Sequence, residues 1–587
     1  MSQRRRRWAL YISLVAALVG VVLVGGKVQV DRLQAKAQRH AETGQAAIAL
    51  LNKYKAGVEA FDIKRVLECY DDAYRNEAEG FWVQQLQAER DGVRTYEWQI
   101  EAQRPFHKSD QAEQMSRYFE TVRSIIDIKF KLDEVEEITN AEKSVIRSFL
   151  WVIGKNAAGE MFQSQSSFRM WLAKTDAGFA ISKQELLHGK TTIGDRRGFT
   201  NVTDEVGIDF IAKRNPLWTT PEWDPKMYGI MKFFSAGVSA ADYDHDGWYD
   251  IFFADGAQPR LYHNNGDGTF SDVTAAAGLP TDLVGIHVAI FADFDNDGNK
   301  DLFLGSFTGA NRLFRNTGDG TFTDVTENAG LGGYFVTVAA AGDYDNDGKL
   351  DLYLGRYLDP RKNLPTTFFY TRNGEGNSLL HNDGHFHFTD VTAKAGVREG
   401  GLTLGIAWAD YNDDGYQDIY VVNDFGRSAL FRNNGDGTFA DVSKETGTVN
   451  LGFGMSATFG DINNDCSLDI YTAGIHSSQR WYRQAATVYQ YFLTSARQGT
   501  IVEDFPLYME LSRLTGPFWG AIGIRTVKGN RLLLNDGNGK FTDASAASGA
   551  NPLGWYWSSG MFDYDNDGRQ DIYTVNGWVT AQNKDDL

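Results

Sequence analysis

A short acidic motif recurs through the second part of the chain and constrains its fold more than any other feature. The nine-residue pattern D-x-[DN]-x-D-G-x-x-D occurs five times, and a sixth copy has cysteine in place of the glycine. The copies are DYDHDGWYD from Asp242, DFDNDGNKD from Asp293, DYDNDGKLD from Asp343, DYNDDGYQD from Asp410, DINNDCSLD from Asp461 and DYDNDGRQD from Asp563. A period of roughly 50 residues, with short strands between Gly-rich turns, is typical of a β-propeller or a related radial array.

A second phrase, a short sequence motif, recurs with the same spacing as the acidic loops. It reads GFTNVT from Gly198, GTFSDVT from Gly268, GTFTDVT from Gly320, HFTDVT from His387, GTFADVS from Gly437 and KFTDAS from Lys540. The residues that flank each acidic loop alternate or are apolar, and an apolar residue always follows the last Asp. These patterns predict that each loop connects the two strands of a β-hairpin, with its polar positions together at one rim.

The spacing within each loop favours calcium. Carboxylates at positions 1, 3, 5 and 9 can converge on one cation only if the backbone turns sharply, and glycine at position 6 permits the turn. With the carbonyl of position 7 they offer five or more oxygen ligands, which suits Ca²⁺ better than the smaller, octahedral Mg²⁺. An EF-hand is excluded because position 12 is never Glu. The plain alternative is a set of acidic turns that bind no metal.

The phrase LFRNNGDGTFADVS, followed by GDINNDCSLDIY, resembles the FG-GAP/VCBS repeats of integrin-like β-propellers. The arrangement is especially similar to bacterial proteins related to cartilage acidic protein. The resemblance implies that each loop binds Ca²⁺ through the side chains at positions 1, 3, 5 and 9 and the carbonyl at position 7, up to six ions in all. The implied ligand sets are Asp242, Asp244, Asp246, Trp248 and Asp250; Asp293, Asp295, Asp297, Asn299 and Asp301; Asp343, Asp345, Asp347, Lys349 and Asp351; Asp410, Asn412, Asp414, Tyr416 and Asp418; Asp461, Asn463, Asp465, Ser467 and Asp469; and Asp563, Asp565, Asp567, Arg569 and Asp571.

Three departures from the pattern qualify this prediction. Loop 5 has Asn463 at position 3 and Cys466 at position 6, so we expect the weakest of the six sites there; a thiolate ligand is disfavoured because Ca²⁺ prefers oxygen. Residues 476–525 contain neither phrase and are either a degenerate blade or an insertion, whose aromatic residues fill a core or face a partner. The strand that should follow the last loop is missing after Asp571, which leaves ring closure in doubt unless Gly198–Thr203 completes that blade.

The first 26 residues predict a membrane anchor. Arg4–Arg7 precede the uncharged stretch Trp8–Gly26, which would form about 28 Å of helix, close to the thickness of a bilayer core. The four arginines predict a cytoplasmic N-terminus, so the bulk of the chain would be periplasmic or at the cell surface. A cleaved signal peptide is the alternative, although the nearest small-x-small pattern, Ala35–Ala37, lies well beyond the apolar run.

Residues 27–189 predict a small α+β domain. Apolar residues recur at helical spacing from Ala47, and Asp62 is placed to cap a second helix. The β-rich stretches that follow are Val122–Ile138, Ser144–Ile153, Glu160–Lys174 and Gly178–Leu187. Helices followed by a curved antiparallel sheet resemble the NTF2-like (SnoaL-like) cone, and DAGFAISKQELL from Asp176 resembles the last strand of that family.

Some members of that family are enzymes, but no acid–base pair marks catalysis in this domain. We interpret Asp127, Glu134 and Glu136 as solvent-facing charges and Cys69 as a buried apolar residue. A spacer or dimerisation module is the expectation for the domain.

Composition narrows the function further. The chain has 77 acidic and 58 basic residues, and its net charge of −19 argues against a nucleic-acid partner. The ligand positions of the six loops hold 22 carboxylates, more than this excess, so the acidity belongs mainly to the loops. Two cysteines exclude a disulfide scaffold.

Candidate catalytic groups are sparse. No G-x-S-x-G, H-E-x-x-H or phosphate-binding glycine loop occurs. His381, His385 and His387 cluster in a repeat turn; the alternating pair His385 and His387 could bind a transition metal, although exposed turn residues are the plainer interpretation. Trp555–Trp557 could stack on a sugar or simply pack within a strand.

The sequence therefore predicts a mainly β protein, a calcium-binding β-propeller of six recognisable repeats with room for a seventh blade. The predicted segments are a basic tail (1–7), a transmembrane helix (8–26), an NTF2-like domain (27–189) and the propeller (190–587). The preferred function is binding of an extracellular or periplasmic protein or glycan, as an adhesion or scaffold module. The alternative is a calcium-dependent polysaccharide lyase or hydrolase, because some propellers of this type act on uronate polymers; small-molecule turnover in the cone is a third, weaker hypothesis. No catalytic residue is assigned.

Overall fold

The computed structural model of the protein describes residues 39, 42–90, 92–101, 104–138, 143–176, 178–194, 202–213, 215–222, 237–333, 335–363, 365, 371–476, 529–552 and 554–576. These residues form two units, the first ending at residue 194 and the second beginning at 202. The predicted membrane helix and nearly all of the predicted insertion lie outside the described residues. Within the ranges just given, no helix has both the length and the apolar character that a membrane span requires.

Three helices belong to the first unit: α1 (42–59), α2 (Ile63–Leu67) and α3 (Lys108–Thr121). The prediction that Asp62 caps α2 is confirmed, because its Oδ1 accepts a hydrogen bond from the Arg65 N–H at 3.0 Å. This contact satisfies one of the free N–H groups at the start of a helix.

A six-stranded antiparallel sheet supports these helices. The strands of this unit are β1 (Arg75–Glu79), β2 (Trp82–Arg90), β3 (Val93–Ile100), β4 (Arg104–His107), β5 (Val122–Ile138), β6 (Lys143–Asn156), β7 (Met161–Thr175) and β8 (Gly178–Ile193). The sheet order is β2-β3-β8-β7-β6-β5, and β1 pairs separately with β4. Four irregularities in the β5–β6 register act as bulges, which bend a sheet. The four predicted strands are therefore confirmed as β5–β8, whereas β1–β4 were not predicted.

Apolar side chains fill the space between the helices and the sheet. Tyr54 of α1 stacks edge-on against Phe130 of β5, with 5.1 Å between the ring centroids. Cys69 is fully buried, as predicted. The interpretation of Glu136 as a purely solvent-facing charge was wrong: its carboxylate pairs with Arg169 at 2.7 Å across the sheet, and only a fifth of its side chain is exposed.

The second unit consists of successive antiparallel sheets. The first sheet contains β9 (Gly237–Ala241), β10 (Asp250–Ala254), β11 (Arg260–Asn264) and β12 (Phe270–Asp272); the second β13 (Ile286–Ala292), β14 (Asp301–Ser306), β15 (Arg312–Asn316) and β16 (Phe322–Asp324); and the third β17 (Val336–Gly342), β18 (Asp351–Arg356), β19 (Ser378–Gly384) and β20 (His387–Asp390).

The next sheets repeat this order. The fourth sheet contains β21 (Leu402–Ala409), β22 (Asp418–Asp424), β24 (Ala429–Asn433) and β25 (Phe439–Asp441), with a small extra pair of β23 (Gly426–Arg427) and β26 (Leu451–Gly452); the fifth contains β27 (Gly454–Gly460), β28 (Asp469–Gly474), β29 (Arg531–Asn535) and β30 (Phe541–Asp543); and the sixth contains β31 (Tyr556–Phe562) and β32 (Asp571–Asn576). The first strand of each sheet contacts the first strand of the next. The hairpin prediction is confirmed, because every acidic loop joins the first and second strands of its sheet.

The second repeated phrase ends the fourth strand with a capped turn. In the second repeat, Asp324 Oδ1 accepts from the Thr326 N–H at 2.9 Å, and Thr326 Oγ1 accepts from the Leu313 N–H at 2.9 Å. Equivalent turns lead into the short helices α4 (Thr392–Ala395), α5 (Ser443–Thr446) and α6 (Ser545–Ser548). The phrase thus has a structural role in closing each sheet.

The segment before the first sheet has the same turn. Val206 O accepts from the Phe270 N–H at 2.8 Å, just as Ala277 O accepts from the Phe322 N–H at 2.8 Å in the next repeat. Residues 202–208 therefore occupy, beside the first sheet, the place of the turn that follows the fourth strand in the later repeats. The prediction that Gly198–Thr203 completes the sixth sheet falls mostly on residues outside the described ranges and stays a prediction.

Candidate metal centres

All six acidic loops fold in the same way, around the carboxylate at position 1. In the second loop, Asp293 Oδ2 accepts from the Gly298 N–H at 2.9 Å, and Oδ1 accepts from the Asp297 N–H at 3.1 Å. The first of these bonds recurs in every loop. The position-1 carboxylate therefore accepts hydrogen bonds from the backbone of positions 5 and 6, and these bonds stabilise the tight turn.

The predicted left-handed backbone at position 6 is confirmed. Gly298 has φ 91°, and Cys466, which replaces the glycine in the fifth loop, has φ 67°. Sequence reasoning missed a second left-handed position, at position 4, where Asn296 has φ 58°. The signal was present, because position 4 is His, Asn, Asn, Asp, Asn and Asn in the six loops, and these residue types tolerate positive φ best.

The turn gathers the side chains of positions 1, 3 and 5. In each of the first three loops one carboxylate oxygen from each of these positions lies within 4.8 Å of the other two. The groups are Asp242, Asp244 and Asp246; Asp293, Asp295 and Asp297; and Asp343, Asp345 and Asp347. In the fourth and fifth loops, Asn412 and Asn463 instead donate to the position-5 carboxylate at 2.9 Å.

Position 5 also accepts the N–H of position 7, at 2.8–3.0 Å in all six loops. The position-7 residues, whose carbonyls were predicted as ligands, are Trp248, Asn299, Lys349, Tyr416, Ser467 and Arg569. They follow directly on the turn, and their role as ligands stays a prediction.

The last aspartate is buried in the sheet in each of the first five loops. Asp301 is fully buried; its Oδ2 accepts from the Phe294 N–H and its Oδ1 from the Asn316 N–H, both at 2.9 Å. Burial raises the pKa of Asp301, and likewise that of Asp418, to about 7. A carboxylate kept in such a place is costly without a cation or a proton nearby.

The donor set fits a hard divalent cation. Carboxylate oxygens from three side chains converge in each of the first three loops, and Asp242 Oδ1 and Asp345 Oδ1 are shielded from solvent without any hydrogen-bond partner. Shielded oxygens of this kind need a partner, and Ca²⁺ is bound through such oxygens. The residues present therefore fit the predicted ion.

Neighbouring loops are joined by side-chain amides that sequence reasoning missed. Asn316, at the end of β15, donates to Tyr243 O of the previous loop at 2.7 Å. Asn382, Asn433 and Asn535 make the same bond in later repeats, at 2.7–2.9 Å. The signal was the Asn that recurs at the same position of the third strand in all five four-stranded sheets; it is the last residue of that strand in four of them. The loops consequently lie in order along one rim.

The structure also shows where the histidine cluster and the aromatic run lie. His385 lies in the turn between β19 and β20 with φ 54°, and His387 Nδ1 is 2.9 Å from an oxygen of Asp383. His381 instead faces the third acidic loop, with Nδ1 3.1 Å from Asp351 Oδ1. Trp557 starts the sixth hairpin and packs on the apolar cluster below it.

The FG-GAP-like repeat family matches residues 242–304, 293–354, 410–472 and 521–574. The chain carries FG-GAP-like repeats. They coincide with the acidic loops of the first to fifth sheets and of the last hairpin.

The FG-GAP repeats relate this chain to cartilage acidic protein 1. The human protein is 25% identical over 388 residues, which are 59% of this chain and 57% of the relative, so the chain spans little more than half the length of that relative. A lectin from Agrocybe aegerita that recognises non-reducing terminal N-acetylglucosamine is 15% identical, with a TM-score of 0.31, and covers 85% of this chain and 96% of its own. A hexachlorocyclohexane dehydrochlorinase is 13% identical, with a TM-score of 0.20, and covers 29% of this chain and 97% of its own.

Proposed function

We propose that this protein is a membrane-anchored binding module outside the cytoplasm, a β-propeller whose FG-GAP loops hold up to six Ca²⁺ ions. The observation that carries the proposal is the convergence of three carboxylate side chains in each of the first three loops. The uncharged N-terminal stretch after four arginines supports the anchor and the direction of insertion.

Calcium would have a structural role in this protein, because it would stabilise the acidic loops. Each loop concentrates three or four carboxylates, whose mutual repulsion a divalent cation offsets. Because the loops are joined in order by Asn amides, ordering one loop supports the next. The ions would therefore stiffen one rim of the sheets and leave their other surfaces for a ligand.

A protein or a glycan outside the cytoplasm is the proposed ligand, and the module would serve in adhesion or as a scaffold. The relatedness to cartilage acidic protein 1 supports a binding role. Ring closure by the sixth sheet is part of the proposal, since successive first strands are already adjacent.

Calcium removal tests the metal claim. The purified chain in detergent is expected to unfold at a lower temperature in a chelator, and added Ca²⁺ should restore the melting temperature. Asp293→Asn, in the second loop, should reduce the calcium effect. Asp267→Asn is the matched control, because that carboxylate only caps an exposed turn through Thr269. A melting temperature that does not change in chelator would exclude calcium as a structural ligand.

One observation favours the enzymatic alternative, a polysaccharide lyase or hydrolase. The Tyr357 hydroxyl donates to Asp424 Oδ2 at 2.7 Å, and burial raises the pKa of Asp424 to about 7. A tyrosine and a carboxyl group are chemically suited to acid–base work, but both side chains are buried, so they would have to become exposed before they could meet a polymer. Incubation with alginate, polygalacturonate and heparin, followed by ultraviolet absorbance for unsaturated products and a reducing-end assay, tests this. Product formation that Tyr357→Phe abolishes would favour the enzyme over the binding module.

A further inference from the structure

One position beside the acidic loops varies between repeats in a way that changes their chemistry. It is the residue that precedes the recurring Asn at the end of the third strand. In the five four-stranded sheets this residue is His263, Arg315, His381, Arg432 and Leu534. The paired strands place it next to the buried aspartate of its own loop.

In the second repeat this position is an arginine, whose side chain is itself positively charged. Arg315 Nε is 3.1 Å from Asp295 Oδ2, and Nη2 is 3.0 Å from Asp297 Oδ2. The guanidinium offers charge and hydrogen bonds but no lone pair, so it cannot be a metal ligand. The second loop therefore has only oxygen ligands to offer.

In the first repeat an imidazole takes the same place. His263 Nδ1 is 3.1 Å from Asp250 Oδ1 and 3.3 Å from Asp244 Oδ2. One ligand atom from each of these three residues lies within 4.8 Å of the other two. Asp250 is fully buried, so the imidazole lies at the inner end of the loop rather than at the surface.

The third repeat builds the same triad again. His381 Nδ1 is 3.1 Å from Asp351 Oδ1 and 3.6 Å from Asp345 Oδ2, and Asp351 is fully buried. The other oxygen of Asp345 is shielded from solvent and has no hydrogen-bond partner. A shielded, unpaired carboxylate oxygen within the triad is independent evidence that a group binds there.

These distances match the edges of a small coordination polyhedron. Ligand bonds of about 2.1 Å place neighbouring ligand atoms about 3.0 Å apart in an octahedron and about 3.4 Å apart in a tetrahedron. One imidazole nitrogen with two carboxylates suits Zn²⁺ and related transition metals, whereas calcium takes oxygen ligands. Such a set leaves a position open for water or for a ligand.

We propose that the first and third loops are mixed histidine–carboxylate sites for a divalent transition metal, formed by His263, Asp244 and Asp250 and by His381, Asp345 and Asp351. The remaining loops keep calcium. The proposal rests on the proposed function, since it assumes that the loops are metal sites, but it assigns two of them a different metal.

The test uses ZnCl₂ as the probe and the full chain in detergent. The protein is saturated with Ca²⁺, incubated with Zn²⁺, passed through a desalting column in calcium buffer, and assayed for zinc by mass spectrometry. The expected result is two retained zinc ions per chain, one for each His-containing loop. His263→Gln and His381→Gln should each retain one ion, and the double variant none. Arg315→Gln, at the equivalent position of the second loop, is the matched control and should retain both.

Two outcomes would overturn the proposal: a wild-type chain that retains no zinc in excess calcium, or a double variant that retains as much as the wild type. Melting curves with and without Ca²⁺ are recorded on every variant. A chain that calcium stabilises but that holds no zinc refutes the mixed sites alone. A chain that calcium does not stabilise refutes the proposed function, and zinc retention that depends on His263 and His381 would still support the mixed sites. Cobalt provides a second readout, because visible absorption bands of bound Co²⁺ should diminish in the His→Gln variants.

Discussion

Backbone strain at position 6 of the loops can be isolated in a single substitution, Gly298→Ala. Gly298 has φ 91°, and a Cβ built on it meets no heavy atom within 4 Å, so the change introduces no clash. Left-handed backbone costs a non-glycine residue about 1–2 kcal/mol, and the loss of unfolded-state entropy returns about 0.4–1 kcal/mol. The expected net destabilisation is about 0.5–1 kcal/mol.

The fifth loop offers the reverse experiment. Cys466 already has φ 67° at the same position, so Cys466→Gly should remove the strain and raise stability by a similar amount. The same backbone strain therefore predicts a loss of stability for Gly298→Ala and a gain of stability for Cys466→Gly.

Melting curves of the full chain in saturating Ca²⁺ provide the assay. The shift in melting temperature is the change in stability divided by the entropy of unfolding, which is large for a unit of this length, so the expected shift is about 1 °C, downward for Gly298→Ala and upward for Cys466→Gly. Gly333→Ala is the control, because its Cβ also meets nothing within 4 Å and its φ is ordinary. The reasoning fails if Gly298→Ala is as harmless as Gly333→Ala, since the strain would then be absent.

Three further outcomes follow from the structure. Because burial raises the pKa of Asp418 to about 7, the metal-free folded chain binds more protons than the unfolded chain between about pH 4 and 7 and loses that stability as pH rises through 7. Calcium needs the carboxylate, so the rise in melting temperature on adding Ca²⁺ should be larger at pH 8 than at pH 6. Asn316→Ala removes the bond to Tyr243 O and leaves a buried carbonyl unpaired, which should cost about 1–3 kcal/mol in a denaturant titration. Cys466 is exposed while Cys69 is buried with a pKa raised to about 11, so a maleimide should label one thiol in the native chain and two after denaturation.

The parts of the fold that the sequence predicts well are those governed by local rules. The hairpin loops depend on a carboxylate that accepts hydrogen bonds from backbone N–H groups only four and five residues away. The nine residues of the motif are therefore enough to predict the turn. Strands β5–β8 are long, and β7 in particular alternates between buried and more exposed positions, which is the pattern that sequence periodicity detects.

The strands β2 and β3 were missed for a physical reason. Most of β2, Trp82–Arg90, is exposed, and its sequence WVQQLQAER is rich in residues that favour helix over strand. Pairing with β3, rather than local propensity, holds it extended. The composition of nine residues does not show that pairing with a neighbouring strand will outweigh their local preference for helix.

Sequence reasoning did not place the two histidines beside the first and third loops, because they lie far from those loops in sequence. His263 follows Asp250 by 13 residues and His381 follows Asp351 by 30, and only the register between second and third strands brings them together. Since Ile251 pairs with Tyr262, the next residue, His263, faces the buried Asp250; a slip of one residue would turn the imidazole to the other face. Each of the five repeats with a described third strand therefore places one variable side chain beside one fixed aspartate. Under the proposed assignment, that single residue decides whether a loop offers only oxygen ligands or an imidazole nitrogen as well.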